Sequence, residues 1–328
     1  VTDKTLPYPQ TFDQKRNAAK SYESMSSLSK HFKRLLPRTW RRRLAVAKAE
    51  KEAAKHLDPE LAQASLGEVN DEWRKRIDAV SACSDNAHIP RVEDAGILQA
   101  GRIAMHNGIL VGALGYYGGG ILNMLVENRG VHEPQEERAF AEVLRHLPPG
   151  GAMIELGAYW GFYSMWFLKA CSGSRVLLVE PDPKHLLSGR QNFEMNGLIG
   201  EFEAGYAANQ VGVSKDGTPM TTLDDLMRRH GIERLTILHS DIQGAELAMI
   251  EGGRNTFEQG LVDYVFISTH SNELHRACLV KLRSYGYDIL VSCDLDATVS
   301  YDGVIVAKRA NLEFPQSITV EGNSLDFT

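Results

Sequence analysis

Two short apolar runs, each ending at a glutamate, constrain this chain more than any other feature. Ala152 to Leu156 carries Glu155 beside its end and is followed by Gly157 and Gly161, while Val176 to Val179 runs straight into Glu180. Apolar runs of this length, bounded by turn residues, read as strands buried on both faces. Glycine at 157 lets the backbone turn with no side chain in the way, and glycine at 161 lets the next helix and a ligand approach closely. The alternation continues from Gly150 onward, with strands expected near 152–156, 175–180, 201–207, 234–240, 262–269, 286–293 and 303–308. Helices are expected near 160–172, 183–196, 222–230, 244–258 and 272–284. This pattern predicts an α/β fold with a mostly parallel sheet covered on both faces. Connections after Tyr285 are too short for a further crossover helix, so the last of the seven strands is expected to enter antiparallel.

Open α/β sheets bind ligands beyond the carboxyl ends of their strands. Glu155 is placed there as a carboxylate for a cationic amino group, and Glu180 as an acceptor for ribose hydroxyls. A dinucleotide fold needs Gly-x-Gly-x-x-Gly, so that pyrophosphate can sit against backbone at the helix start. This chain has Glu-x-Gly-x-x-x-Gly instead, with the bulky Tyr159 where the second glycine belongs. That spacing obstructs a pyrophosphate but not a nucleoside without phosphates, and S-adenosylmethionine is the expected cofactor. Its pocket is assigned to Glu155, Gly157, Ala158, Tyr159, Gly161, Glu180, Pro181 and Asp182. The plainer alternative, that Gly157 is only a tight turn, is weakened by the acid at the second strand end.

A second informative stretch is Leu238-His239-Ser240-Asp241-Ile242-Gln243-Gly244-Ala245-Glu246. Asp241 ends the fourth strand on the ligand-binding edge, and Glu246 falls in the first turn of the next helix, where it either faces the site or complements the helix dipole. His270 ends the fifth strand and is expected beside Asp241, as a base that titrates near neutrality. Asp241, His270, Glu246 and His239 would alternatively supply an oxygen and nitrogen site for magnesium or another divalent metal. The catalytic expectation is therefore Asp241, His270 and Glu246, with Glu133, Glu136 and His106 of the preceding segment as the next candidates.

The first part of the chain differs in composition. Residues 1–76 hold 17 Lys/Arg against 10 Asp/Glu, a charge of +7, which leaves −13 for the remainder of a chain whose net charge is −6. A negative remainder argues against nucleic acid as a partner. Leu28, Phe32, Leu35 and Leu36 form one apolar stripe at helical spacing, and Leu61, Leu66, Val69, Trp73 and Ile77 another. Residues 1–96 are thus expected as a helical region. Its cluster Arg34, Arg38, Arg41, Arg42, Arg43 and Lys48 suits a solvated face, an acidic partner, a membrane surface or a contact between copies in a homo-oligomer. Residues 97–130 are expected as a β-hairpin turning at Asn107-Gly108, with Gly118-Gly119-Gly120 as a flexible joint, packed on a cofactor-binding domain over 131–328. An amphipathic helix opens at His132 to Glu137 with acids in its first turn. Four scattered cysteines without Cys-x-x-Cys spacing indicate reduced thiols rather than a disulfide framework or zinc site. With no secretory h-region at the start and no apolar segment of membrane-spanning length, a cytoplasmic location is expected.

In order and spacing, Glu155-x-Gly157-x-x-x-Gly161, Glu180-Pro181, Thr222-Leu223-Asp224-Asp225 and Asp241-Ile242-Gln243-Gly244-Ala245-Glu246 resemble the FkbM-type S-adenosylmethionine-dependent methyltransferases. The resemblance spans about Glu133 to Lys308, and its most specific element is Asp-x-x-Gly-Ala-Glu after Thr-Leu-Asp. It implies a class I methyltransferase-like Rossmann sheet and O-methylation of a hydroxyl on a sugar, polyketide or other natural product. On matching positions, Glu155, Gly157 and Gly161 would hold the methionine end of the cofactor and Glu180 its ribose. The chain departs from the common pattern at Thr269, where many members carry an acid before the histidine. Two other function classes remain distinguishable. A non-catalytic S-adenosylmethionine-binding scaffold would bind cofactor without turnover, and a nicotinamide oxidoreductase is opposed by Tyr159.

Overall fold

The structure, a computed structural model, describes residues 66–113 and 115–325. The basic cluster and the stripe from Leu28 to Leu36 lie outside the described residues, as does Leu61. The described chain begins with α1 (Asp71–Ala82), capped by the Asn70 side chain on the Trp73 amide. Of the second stripe, Ile77 is buried and Trp73 half-buried, while Leu66 is exposed.

The expected hairpin is a three-stranded antiparallel meander, β1 (Leu98–Gln99), β2 (Arg102–Ala104) and β3 (Leu110–Gly112). The glycine triplet is not a joint. It opens α2 (Gly118–Glu127), after Tyr117 turns the chain in the left-handed region at φ 45°. Helix α3 (Pro134–Leu144) follows, with proline in its first turn where a missing amide hydrogen costs nothing.

A sheet of seven strands then alternates with helices: β4 (Ala152–Leu156), α4 (Phe162–Ala170), β5 (Arg175–Glu180), α5 (Pro183–Met195) and β6 (Glu201–Ala204). A small side sheet follows, made of β7 (Tyr206–Ala207), β8 (Gly212–Val213) and β9 (Pro219–Thr221). The main sheet resumes through α6 (Leu223–Arg229), β10 (Leu235–Ser240), α7 (Glu246–Gly252), α8 (Arg254–Glu258), β11 (Val262–Thr269), α9 (Asn272–Ser284), β12 (Tyr287–Cys293) and β13 (Gly303–Arg309). Two sequence expectations are revised. The strand expected over 201–207 divides between two sheets, and the helix expected over 244–258 breaks at Gly252-Gly253, where the Gly252 Cα approaches the Ala208 carbonyl too closely for a side chain.

The strand order is β12-β13-β11-β10-β4-β5-β6, with β13 antiparallel to both neighbours and the other pairings parallel. This is the expected seven-strand Rossmann-like arrangement with its last strand reversed. Alternation along each strand divides the core. Met153, Val176, Leu178, Ile237 and Phe266 face α3, α4 and the meander, whereas Ile154, Leu177, Leu238, Val265 and Ile267 face α6, α7 and α9. The chain leaves β4 toward β5 on one side and returns through β10 on the other. Their adjacent carboxyl ends form the switch point at which such sheets open a crevice.

The meander docks on α5 through two asparagines, with the Gly112 amide donating to Asn192 Oδ1 at 2.9 Å and the Leu110 amide to Asn196 Oδ1 at 3.0 Å. Among the described residues no helix is long and apolar enough to cross a membrane. Cys83, Cys171, Cys278 and Cys293 are all buried and unpaired.

Candidate active site

A cleft opens over the carboxyl ends of β4, β5 and β10. Of the residues assigned to the cofactor, Glu155, Gly157, Ala158, Tyr159, Glu180, Pro181 and Asp182 line it. Gly161 does not. A side chain there would meet Leu178 at 2.8 Å and Phe193 at 2.9 Å, so this glycine serves the packing of α4 rather than ligand approach. The need for Gly157 also differs from expectation. A Cβ at its φ of 70° would lie 1.7 Å from the Asp241 carbonyl oxygen, so glycine lets the ends of β4 and β10 close on each other.

Glu180 anchors the turn after β4, accepting from the Tyr159 amide at 3.1 Å and the Asp182 amide at 2.9 Å. Tyr159 is thereby held at φ 39°, and its ring stacks on His185 with centroids 3.5 Å apart. Each carboxylate oxygen has a second lone pair, so Glu180 keeps acceptor capacity toward the cleft. Glu155 accepts from the Ser164 amide at 3.0 Å, and burial pushes its carboxyl above the usual range, partly offset by His239.

Asp241 lines the cleft, whereas His270 and Glu246 stand behind it. Glu246 is fully buried, and its Oε1 accepts from the Gly244 amide at 3.1 Å and lies 2.9 Å from His270 Nδ1. It therefore fixes the turn after Asp241 and the imidazole together. His270 Nε2 lies 3.2 Å from Asp241 Oδ1 and 3.3 Å from Asp302 Oδ1, at ion-pair distance but without hydrogen-bond alignment. Burial alone would depress the imidazole pKa. Contacts with Asp241 and Glu246 and the charge of Asp302 outweigh it and push the value up to about 10. His270 is thus an imidazolium at neutral pH, a donor among carboxylates instead of the free base expected from its strand-end position. Asp302, from the connection into β13, carries no local sequence signal and joins the site only through the fold. Burial and the neighbouring Asp241 push its carboxyl up to about 7.

The expected metal quartet does not assemble. His239 projects from the α3 face of β10 and pairs with Glu136 at 2.9 Å, while His270 pairs with Asp241, Glu246 and Asp302. Among the described residues no group of three or more His, Cys, Asp or Glu is arranged to hold a metal ion.

Beneath the cleft lies a buried polar network that the sequence presents only as a helix start. Glu137 Oε1 accepts the amides of His132 at 2.8 Å and Glu133 at 3.0 Å, reaching back across the first turn of α3. His132 sits between Glu133 at 3.2 Å and Glu137 at 2.7 Å, and Tyr163 donates its hydroxyl to Glu133 at 3.0 Å. Burial opposes ionisation throughout, yet the flanking acids raise His132 to about 10, and the imidazolium in turn lowers Glu133 and Glu137. His132, Glu133, Tyr163 and His239 line the inner end of the cleft, and Tyr116 and Tyr117 contribute aromatic rings. Tyr116 stacks on Trp160 with centroids 4.2 Å apart.

Residues 194–289 match the family model described as the methyltransferase FkbM domain. The matched segment holds His239, Asp241, Glu246 and His270. No curated protein matches the chain. Among solved structures the chain is similar to a precorrin-6y C5,15-methyltransferase from Geobacter metallireducens, at 13% identity and TM-score 0.38 over 53% of this chain and 87% of that one. It is also similar to an rRNA methylase from Streptococcus thermophilus, at 10% identity and TM-score 0.40 over 53% and 96% of the two chains. A third is TrmK from M. capricolum in complex with S-adenosyl-homocysteine, at 12% identity and TM-score 0.37 over 54% and 71%.

Proposed function

We propose that this chain transfers the methyl group of S-adenosylmethionine to a hydroxyl oxygen of a small molecule such as a sugar or polyketide. The observation that carries the reading is one cleft at the switch point of the sheet in which Glu155 and Glu180 close adjacent strands and Asp241 faces the space beside them. Glu180 binds the ribose hydroxyls, the Tyr159 and Pro181-Asp182 turns border the adenosine, and Glu155 binds the ammonium of the methionine end. The acceptor oxygen forms its bond to carbon along the line of the breaking sulfur–carbon bond. The sulfur keeps the electron pair and becomes a thioether, and the hydroxyl proton passes to Asp241. Catalysis rests largely on holding that alignment. His270, held by Glu246, is a positioning residue for Asp241.

Calorimetry with S-adenosylhomocysteine and with NADH tests the cofactor, and mass spectrometry of reactions with hydroxylated sugars and polyketides tests the transfer. Binding of the homocysteine product without NADH binding, together with a gain of one methyl group on oxygen, is the expected outcome. NADH binding with no affinity for S-adenosylhomocysteine would refute the reading. Cofactor binding with no methylated product from any acceptor would favour the scaffold alternative.

A further inference from the structure

His239 carries a polar atom that the protein itself does not use. Its side chain is only 5% exposed, its ring stacks on Tyr163 with centroids 4.2 Å apart, and Nε2 lies 2.9 Å from Glu136 Oε1. Glu136 is fixed in turn by the Ser268 hydroxyl, which donates to its other oxygen at 3.3 Å. Nδ1 is buried and has no hydrogen-bond partner, although the residue lines the cleft. A buried nitrogen left unpaired forgoes the hydrogen bond it would make in water, so a ligand atom is the natural completion of this site. Burial opposes a charge on this ring, but the carboxylates of Glu136 and Glu155 outweigh it and raise the imidazole pKa, which favours a hydrogen on Nδ1.

What that ligand atom is follows from the neighbouring strand. His239 stands opposite Glu155 in the parallel pairing of β10 with β4. The two side chains therefore leave the same face of the sheet about 5 Å apart. Glu133, an ionised carboxylate, borders the same end of the cleft. A buried, unpartnered ring nitrogen next to two carboxylates matches a group whose negative and positive ends are joined by a single carbon. An α-amino acid has that form.

We propose that His239, oriented by Glu136, binds the α-carboxylate of the cofactor's amino-acid end through Nδ1–H, while Glu155 and Glu133 receive the adjacent ammonium. The inference rests on the reading of S-adenosylmethionine as the cofactor, and it assigns His239 to ligand recognition rather than to a metal. The same cluster favours substrate over product, because loss of the methyl group also removes the sulfonium charge that these acids attract.

The test is calorimetry on the full chain with four ligands: S-adenosylmethionine, S-adenosylhomocysteine, decarboxylated S-adenosylmethionine, which keeps the amine but lacks the carboxylate, and 5′-methylthioadenosine, which lacks the whole amino-acid end. The wild type should bind S-adenosylmethionine about ten- to a hundredfold more tightly than its decarboxylated form, as expected for one charge-assisted hydrogen bond. His239→Gln retains a nitrogen near the Nε2 position toward Glu136 but loses the Nδ1 donor. It should abolish that preference with methylthioadenosine affinity unchanged within about twofold. His239→Asn, which returns a donor near the Nδ1 position, should restore part of it. A wild type without the preference, or His239→Gln with the preference intact, overturns the proposal. If His239→Gln loses methylthioadenosine as well, the wild-type ratio and the Asn variant still decide. A wild type that binds none of the four overturns the cofactor reading together with this one, whereas binding all four without regard to the carboxylate overturns this one alone.

Discussion

Gly157 and Gly161 share a φ of 70°, yet they stand in different surroundings, and the pair of alanine variants separates backbone strain from collision. Placing any L-residue in the left-handed region costs roughly 1–2 kcal/mol, and this applies to both variants. At position 161 the new methyl meets the ends of the Leu178 and Phe193 side chains at 2.8 and 2.9 Å, and these can shift by a few tenths of an ångström. At position 157 it meets the Asp241 carbonyl oxygen at 1.7 Å, which is backbone at the end of a central strand. Relief there requires displacement of well over about 1 Å, and overpacking of this kind costs a further ~1–3 kcal/mol. Gly157→Ala should therefore be less stable than Gly161→Ala by about 2 kcal/mol, or some 4–8 °C in Tm for a domain of this size. Because the atom displaced belongs to Asp241, Gly157→Ala should also lose S-adenosylhomocysteine affinity by about tenfold or more, whereas Gly161→Ala keeps it. Thermal unfolding followed by circular dichroism, with calorimetry on the same samples, measures both. Equal Tm values in the two variants would refute the claim that β4 and β10 close through Gly157.

Glu180→Ala should weaken S-adenosylhomocysteine binding by about 1–3 kcal/mol through lost hydrogen bonds to the ribose; unchanged affinity in calorimetry would remove Glu180 from the site. His270→Gln should lower turnover by about ten- to a hundredfold while leaving cofactor affinity within twofold, since the imidazolium acts on Asp241 from behind the cleft; a matching loss of affinity would place it in the binding site instead. His230 lies 3.0 Å from both Glu201 and Glu203 on the edge strand β6, and hydrogen bonding to these acids, Glu201 first, raises its pKa from 6.5 to about 9. A raised histidine pKa means stability that is fully present below about pH 6.5 and fades as the pH rises through about 9. Urea unfolding of the wild type and His230→Gln across that window should converge at its alkaline end, and a difference that stays constant with pH would contradict the assignment.

Much of the fold was legible because strand and helix periods are local. The seven strands and the reversed last one followed from apolar runs and from the short connection after Tyr285. The break at Gly252-Gly253 was not, since two glycines in a helical pattern tolerate either outcome and only the approach of the Ala208 carbonyl decides it. Gly118-Gly119-Gly120 misled for the related reason that glycine lacks preference. Asn123 of the same helix donates to the Gly119 carbonyl at 2.8 Å, and Gly120 lies against the Trp73 ring of α1, a contact from elsewhere that helps to bring the triplet into α2.

The site was legible where an acid stood at a strand end and obscure where several acids shared a helix start. Glu133, Glu136 and Glu137 have the spacing of residues that complement a helix dipole in solvent, which is the commoner fate of such acids. Here the meander, α4 and the sheet enclose that first turn, so each carboxylate must find a partner or stay neutral. Glu133 and Glu137 take His132, Glu136 takes His239, and His239 is then left with one free nitrogen at the cleft wall. The partners come from positions as far apart as 136 and 239, so no local pattern could announce them. The same separation explains why His239 and His270, both at strand ends in the sequence, serve different groups. Alternation along β10 turns His239 toward α3, whereas His270 lies past the end of β11, where the turn held by Glu246 and the connection carrying Asp302 meet it. A metal shared by both histidines would require one of these strand ends to face the other way, and the buried pairing of each ring with its own carboxylates opposes that.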